Sequence, residues 1–176
     1  MARAAAAQGA KVRTALDPRL GAALLDARLL AGAADLSEDD FSQLAEGDAV
    51  VLSGLRRTAA GLAGGARLVF ADFHLLGGLE DGRFTLASVA DAVAPEALMH
   101  DGPTQVSSLP IEIQVELAKL KIPLSKLDTL QAGSVIDLGV ALTDAVVLRI
   151  GDRAVAQAEL VDIDGELGAR ILTLLP

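Results

Sequence analysis

Residues 109–138 read LPIEIQVELAKLKIPLSKLDTLQAGSVIDL, and three patterns follow one another in them. From Ile111 onward, apolar and polar residues alternate, which predicts a strand with one apolar face. A short helix is predicted next, with Ser125 as its N-cap and leucines along one side. Gly133 ends the following turn, and a second strand is predicted from Val135. This order indicates a mainly β unit with short helices.

The rest of the chain's second half reads as strands joined by tight turns. Apolar-rich runs at 145–150, 153–161 and 169–175 predict three strands. The dipeptides Gly151-Asp152 and Asp164-Gly165 between them are turn signals.

The first half repeats this order, which predicts a second copy of the same unit. Leu36-Ser37 aligns with Leu124-Ser125, and Asp40 takes the capping-box position after Ser37. Asp81-Gly82 aligns with Asp164-Gly165. The opening strand, within residues 20–31, is predicted from the repeat alone, because its alanines and leucines favour a helix by propensity.

Breaks in composition divide the chain into four parts. The stretch around Pro95 and Gly102-Pro103 is typical of a linker. We therefore expect an N-terminal connector at 1–20, a first module at 21–90, a linker at 91–108 and a second module at 109–176.

The composition argues against several classes of function. The net charge of −9 disfavours nucleic acids and anionic lipid surfaces as partners. The chain has no Cys, two His, no Trp and no Tyr, which leaves little for a metal centre, a nucleophilic triad or a base-stacking surface. We expect a binding protein that is not an enzyme and uses no cofactor and no metal.

Residues 109–138 closely resemble the SPOA (surface presentation of antigens) domain of flagellar motor switch proteins and type III secretion ring proteins. The matching pattern is an alternating strand, a Leu-Ser-x-Leu-x-x-Leu helix beginning at Leu124-Ser125, a glycine turn at Gly133 and an apolar strand. Two tandem copies resemble the C-terminal half of the secretion ring proteins of the SctQ, HrcQ, YscQ and SpaO type.

The resemblance implies a fold in which two SPOA modules form an intertwined, strand-swapped, β-barrel-like pair, within one chain or between chains. It also implies a structural adaptor of the type III secretion cytoplasmic ring or sorting platform. The implied partners are the ATPase regulator (stator), further ring subunits and a free second-module fragment. The implied location is the cytoplasmic face of the inner membrane, reached only through other proteins. A flagellar switch component with fused modules is the alternative.

Apolar residues of the two aligned units are the predicted core, which in a swapped pair is also the pairing interface. They are Ile111, Ile113, Val115, Leu117, Leu124, Leu127, Leu130, Val135, Ile136 and Leu138 in the second unit, and Leu36, Leu44, Val50 and Leu52 in the first. Met99 is a candidate internal start that would release the second module. The basic cluster Lys119, Lys121 and Lys126 either receives an acidic segment or is simply solvated.

Overall fold

The computed structural model describes residues 17–91 and 110–176. The first segment, called here the first half, contains α1 (Pro18–Gly21), β1 (Leu24–Leu36), α2 (Glu38–Gln43), β2 (Ala49–Val51), β3 (Leu55–Thr58), β4 (Gly61–Val69), β5 (Phe73–Glu80) and β6 (Arg83–Asp91). The second half contains β7 (Ile111–Pro123), α3 (Leu124–Asp128), β8 (Val135–Asp137), β9 (Ala145–Ile150), β10 (Arg153–Ile163) and β11 (Glu166–Leu174). The mainly β class with short helices is confirmed.

The opening strand of the first half is a strand, as the repeat predicts and against its local propensity. β1 pairs antiparallel with β7 from Leu24 opposite Pro123 to Leu36 opposite Ile111. Leu29, in the middle of β1, is completely buried. Strand pairing and burial therefore outweigh the few tenths of a kcal/mol per residue by which such residues favour a helix.

The two predicted helix caps have different outcomes. In α2, Ser37 Oγ accepts a hydrogen bond from the Asp40 N–H at 3.0 Å and donates one to Asp40 Oδ2 at 2.7 Å. The prediction that Ser125 caps α3 is wrong, because α3 already begins at Leu124 and has no side-chain cap. The Leu124 N–H donates instead to the carbonyl oxygen of Ala23 at 2.9 Å, so this helix start needs no serine.

This difference predicts unequal effects of two matched substitutions. Ser37→Ala should lower stability by about 1 kcal/mol, or about 2–4 °C in Tm, because the Asp40 N–H loses its acceptor. Ser125→Ala should change stability by less than about 0.5 kcal/mol, because Ser125 is exposed and caps nothing. Thermal unfolding followed by circular dichroism measures both. Equal losses would contradict the assignment.

Two aspartate-glycine turns close the last hairpin of each half, as predicted. Asp81 and Gly82 have φ angles of 49° and 70°, and Asp164 and Gly165 have 53° and 88°. Positive φ at both central residues matches the twist of a two-residue antiparallel hairpin, and Asp-Gly tolerates it well.

All strands belong to one antiparallel sheet with the order β2-β11-β10-β9-β7-β1-β4-β5-β6-β8, and β3 pairs with β4 off this path. The sheet is not closed, so the expected barrel-like form is not seen. The two terminal strands of this order, β2 and β8, are each three residues long. Each pairs on one side only, with β11 and with β6 respectively, and within the described residues they do not pair with each other.

One apolar core spans both halves. Its most deeply buried large side chains come from six strands, three in each half: Phe84, Leu29, Leu68, Ile113, Leu148, Ile171 and Val115. Because each half alone would leave many of these side chains in water, the core is a joint product of the two halves.

Candidate pairing interface

The long ladder between β1 and β7 joins the two halves. These strands are equivalent in the repeat, and their pairing is centred on Leu29-Leu30 against Leu117-Ala118. A register shift lies at this centre, where Leu29 faces Ala118 but Leu30 faces Glu116. Leu117 is thus the extra residue of a β-bulge. The two equivalent strands meet in a nearly symmetric, two-fold manner.

Each half also contributes a short strand to the sheet of the other. Val50 of β2 lies opposite Ala169 of β11, and Ile136 of β8 lies opposite Phe84 of β6. Val50 and Ile136 are both about 5% exposed. Separating the halves would therefore break backbone pairing and expose apolar side chains at two further places besides the central ladder.

Most of the predicted residues lie in or against the shared core. Seven are buried: Ile113, Val115, Leu117, Ile136, Leu138, Val50 and Leu52. Six are half-buried: Ile111, Leu124, Leu127, Leu130, Leu36 and Leu44. Met99 lies outside the described residues. Whether these side chains govern pairing in solution stays a prediction.

The placement of Val135 in the core is wrong. Its side chain is 58% exposed, whereas its neighbour Ile136 is 5% exposed. Successive side chains of a strand point to opposite faces, so two adjacent residues of β8 cannot both face the core.

Three ion pairs connect the halves at the surface. Arg28 Nη2 lies 2.7 Å from Asp152 Oδ1, Arg57 Nη2 lies 2.5 Å from Asp144 Oδ1, and Lys121 Nζ lies 2.7 Å from Asp26 Oδ1. Every pair has at least one largely solvent-accessible member, although the Arg28 side chain is only 26% exposed, so each pair adds at most about 1 kcal/mol. Their main effect is to favour one pairing register between the two halves, because the stability that they add to the fold is small.

One buried ion pair, Glu116 with Arg149, was not predicted. Arg149 Nη1 donates to Glu116 Oε2 at 3.1 Å, and Arg149 Nη2 donates to the carbonyl oxygen of Asp152. Arg149 Nε is buried without a partner. The side chain of Glu116 is 3% exposed and that of Arg149 is 10% exposed. The alternating pattern of β7 placed Glu116 on a solvated face, and no local sequence signal indicates that this face is covered.

The described surface offers little for catalysis. Asp152 has a pKa below its usual range, because Arg28 donates a hydrogen bond to its carboxylate and adds a favourable charge. This carboxylate is fully exposed at a turn and lines no pocket. Residues 17–91 and 110–176 contain no cluster of His, Cys, Asp or Glu suited to a metal ion. They also contain no helix with the length and apolar character needed to span a membrane.

Comparison with known proteins gives one family and several relatives. Residues 104–175 match the family described as type III flagellar switch regulator (C-ring) FliN C-term. The type III secretion protein HrcQb of Pseudomonas syringae pv. tomato is 35% identical over 72 residues, which are 41% of this chain and 53% of that protein. HrcQb of Pseudomonas savastanoi pv. phaseolicola is 30% identical over 99 residues, which are 54% of this chain and 76% of that protein. The match thus spans about half of the first relative and three quarters of the second.

Proposed function

The chain belongs to the family of the type III secretion HrcQb proteins, with a FliN C-terminal domain at residues 104–175, and from this premise we propose that it is a non-enzymatic structural adaptor of a type III secretion cytoplasmic ring or sorting platform. In this role, the two tandem units act together as one building block. The relatives named for type III secretion support the secretion system over the flagellum.

The observation that carries the proposal is the reciprocal strand contribution of the two halves. β2 and β8 each complete the sheet of the other half. A unit held together in this way acts as one building block, which is what the role of a structural adaptor requires. The expectation that the two tandem units pair with each other comes from the family resemblance, and these pairings support it.

We assign the partners by the proposed role. They are the ATPase regulator (stator), further ring subunits and a free second-module fragment, at the cytoplasmic face of the inner membrane, which the chain reaches through other proteins. Exposed apolar side chains on the two last hairpins offer binding surface: Val89 is 61% exposed, Leu172 46% and Leu174 44%.

Affinity capture from the native cell tests this proposal. The full chain serves as bait, and the Val115→Asp variant, which should not fold, is the matched control. We expect the ATPase regulator and ring subunits with the folded chain and neither with the variant. A captured 78-residue fragment, Met99–Pro176, would establish the internal start, and a genomic sequence without a ribosome-binding site before that codon would contradict it. Capture of neither regulator nor ring subunits would overturn the secretion role.

The flagellar alternative rests on one observation, the name of the matching family. It predicts capture of flagellar switch proteins in the same experiment. Their recovery without the secretion ATPase regulator would replace the secretion role with the flagellar one.

A further inference from the structure

The two ends of the β1/β7 ladder have equivalent backbone but different charge. At one end β1 leads into α2, and at the other β7 leads into α3; a glycine turn and a three-residue strand follow in each case. Residues 35–48 contain six acids and no base, and we call this region the acidic end. Residues 17–28 and 117–128, which pair at the opposite end, contain five bases and three acids, and we call this region the basic end.

The basic end carries exposed apolar surface. Leu20 on α1 is 55% exposed and Leu24 at the start of β1 is 56% exposed. α1 packs beside α3, and the Leu124 N–H at the start of α3 donates to Ala23, next to Leu24. Neighbouring exposed leucines with a polar rim are typical of a protein-binding surface.

The charges around these leucines are not balanced. Arg19 and Lys126 are exposed and form no salt bridge within the described residues. Arg28 and Lys119 lie directly opposite each other in the ladder, and like charges in this position repel. Asp152 pairs with Arg28, but no carboxylate within 17–91 and 110–176 pairs with Lys119. An anionic partner would relieve this repulsion.

The acidic end has the complementary properties. Asp35, Glu38, Asp39 and Glu46 are exposed, and none forms a salt bridge in the part of the chain that the structure describes. Phe41 of α2 lies among these acids in sequence, but its half-buried side chain packs against the core, so the end offers mainly negative surface.

We propose that the acidic end of one chain binds the basic end of a second copy, so that the carboxylates of the acidic end meet Arg19, Lys119 and Lys126. The contact is head-to-tail, so an open complex of any number of copies keeps one acidic and one basic end free for further copies. This inference rests on the proposed function, since a ring requires a repeated contact between subunits. The net charge of −9 makes most other approaches of two copies repulsive, whereas the basic end attracts.

The first experiment is sedimentation velocity of the full chain over a range of concentrations. The average mass should rise with concentration at about 0.01 M salt, where the Debye length is about 30 Å, and fall towards the monomer at about 1 M salt, where it is about 3 Å. A mass that stays monomeric at all concentrations in low salt would overturn the proposal.

Charge-reversal variants test which surfaces meet. The acidic-end variant is Asp35→Lys/Glu46→Lys, and the basic-end variant is Arg19→Glu/Lys126→Glu. Each alone should associate about tenfold more weakly or worse, because the acidic-end variant loses most of its negative charge and the basic-end variant becomes negative and repels the acidic end. An equimolar mixture should form dimers that grow no further, because each variant retains one intact end. A mixture that remains monomeric would contradict head-to-tail binding.

Matched controls separate this contact from a general charge effect. Glu80→Lys/Glu166→Lys and Arg56→Glu/Arg83→Glu change the net charge equally, at exposed positions outside both ends. Their self-association should be unchanged, and a loss as large as in the end variants would overturn the proposal. Capture of the ATPase regulator by the end variants shows separately whether the adaptor role stands when this contact fails.

Discussion

Val115→Asp should unfold the chain. Val115 is 0% exposed in the middle of β7, where it lies opposite Leu148 of β9. An aspartate there would bury a charge without a partner, which costs several kcal/mol. The whole stability of a domain of this size is about 5–15 kcal/mol. We expect loss of the cooperative thermal transition, or a fall in the denaturant midpoint by half or more.

Val135→Asp is the matched control for this prediction. It makes the same chemical change in the strand of the same half that pairs with β6, but at a side chain that is 58% exposed. The expected change is within about 0.5 kcal/mol. If Val135→Asp destabilised the chain as much as Val115→Asp, the Val135 side chain would have to face the core, and the orientation of β8 described here would be wrong.

The second large effect concerns the buried ion pair of Glu116 and Arg149. Arg149→Met should cost about 3–5 kcal/mol, because it leaves the Glu116 carboxylate buried without its counterion. Urea unfolding measures the loss as a lower midpoint.

The double variant Glu116→Leu/Arg149→Met should recover most of this loss. It removes both charges together, and apolar groups of similar volume can replace a buried pair at little cost. The Asp152 carbonyl, which loses its donor, belongs to an exposed residue and can bind water instead. A double variant as unstable as Arg149→Met alone would show that the carboxylate is not the source of the cost.

The sequence predicted the second half better than the first for a local reason. In β7, apolar residues alternate strictly from Ile111 to Leu117, so strand and buried face follow from the pattern. β1 is rich in alanine and leucine, and only its alignment with β7 predicted a strand. Ser125 shows the limit of such alignment. It matches Ser37 in sequence, but it does not cap α3, and the Leu124 N–H at the start of this helix donates to the carbonyl oxygen of Ala23.

The sequence by itself determined the mainly β class, the two-fold repeat, the aspartate-glycine hairpins and most of the core, because these depend on residue period, turn chemistry and spacing along the chain. Only the tertiary structure decided which face of β8 is buried, and that β2 and β8 each pair with the opposite half without closing the sheet. It also decided that Glu116 and Arg149 form a buried ion pair. The physical reason is that the burial of a strand's outer face depends on which other parts of the chain pack over that face. The sequence of the strand alone does not indicate this packing.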